Sequence, residues 1–158
     1  MKAYNYRSLL LKIFSGVFAV ALFTSTVFAD IQKVTEGSSG EHSRFGWDVA
    51  MSGRHALISA ANESNEFGAS AGAVYGYEYI EGAWSRVQKI TAPDASSNAF
   101  FGHAIAMDSS IAVISAVGSF ANGPFSGCVY VYRRQGGLWN FEQILVPDDG
   151  APIARFGQ

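Results

Sequence analysis

The stretch FGWDVAM at Phe45 returns as FGHAIAM at Phe101, and its Phe-Gly pair returns once more at Phe156–Gly157. Fifty-six residues separate the first two copies and 55 separate the second from the third. A fixed period of this size marks a solenoid, a propeller or an array, and constrains the fold more than any local pattern does. The punctuation inside each period also recurs. An apolar run opens each unit, then come a short turn, a second apolar run, a polar loop, an alternating Tyr-rich run, a tight Gly turn and a run headed by Trp.

The apolar runs are β-branched and aromatic, six to eight residues long, and bounded by Gly, Pro, Asn and Ser, which reads as strand. In the first unit the expected strands are 45–51, 56–61, 72–79 and 84–91; in the second they are 101–107, 111–117, 127–132 and 139–146. The second strand of each unit is almost unbroken in its apolar character, as suits a strand covered on both faces. No 3.6-residue stripe of useful length appears outside the first 29 residues. One four-stranded sheet with two apolar faces must be sandwiched between others. Radial repetition does this, each sheet becoming a blade between neighbours in a β-propeller. The small residues of the second strands, Ala60 and Ala116 among them, suit close approach near an axis. The aromatics Tyr75, Tyr77, Trp84, Tyr130, Tyr132 and Trp139 suit the wider rim. The expected fold class is therefore all-β: a propeller fragment of two complete blades.

The N-terminus stands apart. Lys2, Arg7 and Lys12 precede an apolar run from Ile13 to Phe23, and Val27-Phe28-Ala29 fits an export-peptidase site. Cleavage is expected between Ala29 and Asp30, giving a secreted, periplasmic or cell-surface protein. The run is shorter than the roughly 20 residues of a spanning helix, so no membrane span is expected after cleavage. Beyond residue 29 the chain carries thirteen acidic and eight basic residues, which argues against a nucleic-acid groove. The single cysteine, Cys128, takes the place of Ala73 in the repeat and reads as a small buried side chain.

The order FG-x-x-[V/I]-A-M, an apolar strand ending Ser-Ala, a Gly-rich loop, G-x-V-Y-x-Y, Trp, and Q-[K/I]-[I/L] resembles the FG-GAP repeat of the integrin alpha-subunit N-terminal propeller, in its bacterial secreted variety. The resemblance spans residues 31–158. It implies a non-enzymatic recognition or adhesion module that binds a protein or glycan at the cell exterior. Two departures stand out. Ser59-Ala60-Ala61 and Ser115-Ala116-Val117 replace the expected Gly-Ala-Pro. Where many such repeats carry an Asp-rich calcium loop, this chain has Ser52-Gly53-Arg54-His55 and Asp108-Ser109-Ser110. A calcium ion wants 6–8 oxygen ligands, so no calcium or other cofactor is expected in either unit.

Ile31-Gln32-Lys33-Val34-Thr35 matches Val87-Gln88-Lys89-Ile90-Thr91, at the same distance before Phe-Gly. It reads as an outer strand whose own sheet is absent. The expected organisation is an export segment at 1–29, an orphan outer strand and linker at 30–44, blades at 45–100 and 101–155, and the start of a third repeat at 156–158. The chain is accordingly expected to be a truncated product or sequence fragment of a larger propeller.

No catalytic constellation is visible. His42, His55 and His103 share no spacing with a Ser or Asp, and neither H-E-x-x-H nor C-x-x-C occurs. His103 stands where the first unit has Trp47 and reads as packing or rim. Asp48, Glu63 and Glu66 have no acidic counterparts in the second unit, so no repeated metal site is expected. The alternatives to recognition are a propeller hydrolase or lyase with its site in further blades, or a non-functional remnant. What remains is the loops. The second-to-third-strand loops and the inter-blade connections are expected on one face, where recognition usually lies. Candidate binding residues there are Asn62, Glu63, Glu66, Phe67, Phe120, Asn122 and Phe125. The three phenylalanines are expected first to fold back over the blade top, the alternative being an anchor for a partner.

Overall fold

The computed structural model describes residues 31–35, 42–149 and 151–158. The strands follow the apolar runs in order: β1 (Phe45–Ser52), β2 (His55–Ala60), β3 (Ala73–Ile80), β4 (Ala83–Ile90), β5 (Phe101–Asp108), β6 (Ile111–Ala116), β7 (Cys128–Gln135) and β8 (Leu138–Leu145). They make two antiparallel sheets, ordered β1-β2-β3-β4 and β5-β6-β7-β8. β7 extends beyond its expected end at Tyr132, because Arg133, Arg134 and Gln135 continue the ladder against Asn140, Trp139 and Leu138 up to the Gly136–Gly137 turn. Among the described residues there is no helix long and apolar enough to cross a membrane. The export segment and its cleavage point lie outside the described residues.

The two sheets stack as consecutive blades. Leu57, Val74 and Ile90 from one face of blade 1 meet Ala112, Ile114, Ala116, Cys128, Tyr130, Tyr132 and Trp139 of blade 2 in one buried cluster. Each large side chain withdrawn from water here contributes about 1.5–3 kcal/mol. At its centre Phe101 meets Tyr130 edge to face at 5.4 Å, and Phe45 meets Tyr75 likewise at 5.7 Å in blade 1. Edge-to-face placement sets the positive rim of one ring on the negative face of the other. Cys128 lies buried in this cluster, with its thiol pushed up by burial.

The sheets converge at their first strands. Trp47 Nε1 donates to the His103 carbonyl at 3.0 Å, Ile105 N to Asp48 Oδ2 at 2.7 Å, and Ser109 N to Ser52 Oγ at 3.1 Å. The first strands therefore line the inner edge, and not the second strands as their small residues suggested. Those small residues instead let the blades approach in the middle of the sheet. A bulge between Phe45 and Val49 frees the Asp48 amide, and Ser59 Oγ accepts it at 2.9 Å. Ala104 N and Ser115 Oγ repeat this at 2.9 Å. The serine that replaces the glycine of Gly-Ala-Pro thus satisfies a backbone donor that the bulge would leave unpaired.

At the outer edge the link is made by a glutamine. Gln88 Nε2 donates to the Trp139 carbonyl at 2.9 Å while Trp139 N donates to Gln88 Oε1 at 2.7 Å. Residues 32–35 pair with no strand, yet take the same place toward blade 1. Gln32 grips the Trp84 backbone through both its amide atoms, at 2.7 and 2.6 Å. Tyr77 Oη donates to the Thr35 carbonyl as Tyr132 Oη donates to that of Thr91. Val34 packs on blade 1 as Ile90 packs on blade 2.

Candidate functional site

Strand direction brings two kinds of segment to one end of the sheets. β2 ends and β3 begins there, so the 61–72 loop lies there, and so does the connection from β4 to the start of β5. These segments are zipped together by their backbones. Asn98 N, Phe100 N and Phe101 N donate to the carbonyls of Ala69, Ser70 and Ala71 at 2.8, 3.1 and 3.0 Å. Ile153 N, Arg155 N and Phe156 N repeat the pattern on Pro124, Phe125 and Ser126. The loop face is thereby fixed by backbone hydrogen bonding even where its side chains differ.

Between the two blades this face opens into a cavity of about 370 Å³. Its charged lining is Arg44 and Arg155, the residues just before the first and third Phe-Gly. The corresponding residue of the second unit, Phe100, is also in the wall. All three adopt left-handed backbone, at φ 55°, 55° and 50°, which sets the same turn before each blade. The Arg44 guanidinium lies over the Trp47 ring, 4.9 Å from its centroid. Trp47 in turn is 5.6 Å from the His103 imidazole, whose buried Nδ1 has no hydrogen-bond partner. Asn62, Val117, Gly118 and Phe125 complete the mouth, and among the described residues no Asp or Glu lines it.

Two of the expected loop residues, Asn62 and Phe125, come together here. Phe120 stands beside Phe125 with ring centroids 4.7 Å apart. Phe67, Phe120 and Phe125 are 44%, 53% and 41% exposed, so the fold-back over the blade top does not occur. The loops are too tightly tied by their own hydrogen bonds to bend over: Phe67 N, for one, is held by Asn65 Oδ1 at 2.9 Å. Glu66 is exposed beside Phe67 at the loop tip, away from the lining of the mouth. Glu63 is only 3% exposed and faces inward, accepting from Tyr75 Oη at 2.7 Å and pairing with Lys89 Nζ at 2.7 Å. It braces blade 1 and is not presented to a partner. In blade 2, where Ser119 replaces it, Tyr130 Oη turns to Asp94 of the connection instead. Asn122 donates from Nδ2 to the Pro147 carbonyl at 2.7 Å and so ties the blade-2 loop to the following connection.

Arg44, Trp47, His103 and Arg155 are absent from the sequence-based candidates. The available signal was positional: the residues flanking Phe-Gly change from unit to unit while the pair itself does not. The calcium-loop positions lie at the opposite end of the strands, where Ser52 Oγ accepts the Ser109 amide. Among the described residues no three His, Cys, Asp or Glu side chains converge as metal ligands.

The FG-GAP repeat model matches the chain at residues 28–77 and 84–132. The chain belongs to the FG-GAP repeat family. Each FG-GAP match starts at or before an outer-strand segment and ends in the third strand of the next sheet, so the family unit straddles two blades. Gln32 falls in the first match and Gln88 in the second, which makes the glutamine link a recurring part of the FG-GAP unit. FG-GAP repeats are generally recognition or adhesion modules. A search of curated proteins finds no match to this chain.

Proposed function

We propose that the protein is an exported, non-enzymatic recognition module that binds a protein or glycan at the cell exterior through its loop face. The observation that carries this reading is the mouth between the blades. It is a concave site of small-ligand size, with two guanidinium groups and exposed aromatic rings, on loops held by a rigid sheet scaffold. Calcium has no part in the proposal, since Ser52-Gly53-Arg54-His55 and Asp108-Ser109-Ser110 offer a single carboxylate between them.

Binding of the labelled protein to an array of extracellular glycans and matrix proteins tests the reading. The double variant Phe120→Ser, Phe125→Ser should lose at least tenfold in affinity with its melting temperature held, because both rings are exposed and contribute little to the core. Full retention of binding by that variant and by Trp47→Ala would contradict it. The exported product should begin at Asp30, which the mass of the mature protein reports.

A further inference from the structure

We infer that the mouth takes an anionic carbohydrate, a sugar ring bearing a carboxylate or a sulfate. This rests on the proposal that the loop face is the recognition surface, and it specifies the ligand. The charge is the first ground. Arg44 and Arg155 face one cavity that no acidic side chain lines among the described residues, in a chain with a formal net charge of −2. Among the described residues neither guanidinium has a carboxylate partner. A planar guanidinium presents a fork of donors matched to two oxygens of a carboxylate or sulfate. Arg44 is already oriented by its stacking on Trp47, so less freedom is lost when it binds.

The remaining lining decides between a sugar and a peptide. An extended acidic peptide would need an open strand edge with free backbone donors and acceptors. Here the bordering amides of Asn98, Phe100, Phe101, Arg155 and Phe156 are all bonded to carbonyls of the neighbouring loop. What the mouth offers is aromatic side chains, Phe100 and Phe125 in its wall, and side-chain polar groups on Asn62 and His103. Ring faces receive the C–H side of a pyranose while amide and imidazole groups receive its hydroxyls. The cavity of about 370 Å³ lies in the range of small-ligand sites.

Calorimetric titration of the full-length protein with four probes of similar length tests this. The probes are an oligogalacturonate, its methyl-esterified neutral form, a sulfated oligosaccharide and an oligoglutamate. Binding of either anionic sugar is expected, the arm with the higher affinity identifying carboxylate or sulfate as the group held. Arg155→Gln and Arg44→Gln should each weaken it about tenfold, the loss of one charge-assisted pair. Arg54→Gln, which removes the same charge from the β1–β2 turn at the other end of the strands, should leave it unchanged. Arg155 is exposed, so its variant keeps the fold and its melting temperature will show that. If the neutral ester binds as well as the acid and Phe125→Ser weakens it, the anionic inference is overturned while loop-face recognition stands. Tighter binding of oligoglutamate than of both anionic sugars overturns the carbohydrate assignment. No binding in any arm overturns the inference, and the array separately decides the recognition reading.

Discussion

At the turn that opens each blade, Gly46, Gly102 and Gly157 take φ of +85°, +90° and +89°, a region that L side chains adopt only under strain. Gly102 carries a second constraint. A Cβ built there would stand 2.9 Å from Val74 Cγ2 and 3.0 Å from Ser59 Cβ, whereas at Gly46 nothing lies within 4 Å. Gly46→Ala is therefore expected to cost about 1 kcal/mol, from backbone strain alone. Gly102→Ala adds overpacking at the blade junction and should cost about 2–4 kcal/mol. Chemical denaturation of the two variants measures both, and equal losses would contradict the close approach at Gly102. The invariance of Phe-Gly was legible in the sequence as a repeat, but its cause was not, since crowding depends on which side chains the neighbouring blade brings. Glu63 shows the same limit. As a polar residue in a polar loop it read as a surface group, and only the fold places it within reach of Tyr75 and Lys89.

Among the elements, the strands were the most legible, since a period-2 aromatic run and an unbroken apolar run each allow one placement against a partner. Their ends were less so: Arg133, Arg134 and Gln135 fall beyond the strand expected to end at Tyr132 but extend β7, because a ladder exposed at its tip accepts any side chain. The coupling between elements was readable only in part. The match of 31–35 to 87–91 set Gln32 beside Gln88, but gave no hint that both grip a backbone two atoms at a time. Removing that grip should be felt where a blade is present to receive it. Gln88→Ala is expected to cost about 1–3 kcal/mol, two hydrogen bonds and the exposed partners left behind. Gln143, its counterpart on β8, has no partner among the described residues, and Gln143→Ala should change stability by less than about 0.5 kcal/mol. Thermal or urea unfolding of the pair decides it, and a silent Gln88→Ala would refute the link. The same contrast appears in burial: Ile90 is 3% exposed under blade 2, while Leu145 at the equivalent place is 41% exposed.

At the scale of the molecule, the mouth belongs to neither blade alone. Trp47 and Asn62 come from the first, His103, Val117 and Phe125 from the second, and Arg44, Phe100 and Arg155 from the segments that lead into each Phe-Gly. The sequence placed these loops at one end, because strand direction fixes which loops share an end. It could not name the mouth, because residues 44, 103 and 155 meet only through the angle at which blades stack. The proposed recognition by this face thus depends on the two repeats behaving as one body. Native-state hydrogen exchange tests that most directly. The junction donors are the Ile105 amide, held by Asp48, the Trp139 amide, held by Gln88, and the Trp47 indole, held by the His103 carbonyl. One cooperative body predicts that these exchange as slowly as the central amides of β2 and β6, in a single unfolding event. Fast exchange at the three junction donors, with β2 and β6 still protected, would mean blades that fold singly and a mouth that is not a standing feature of the protein.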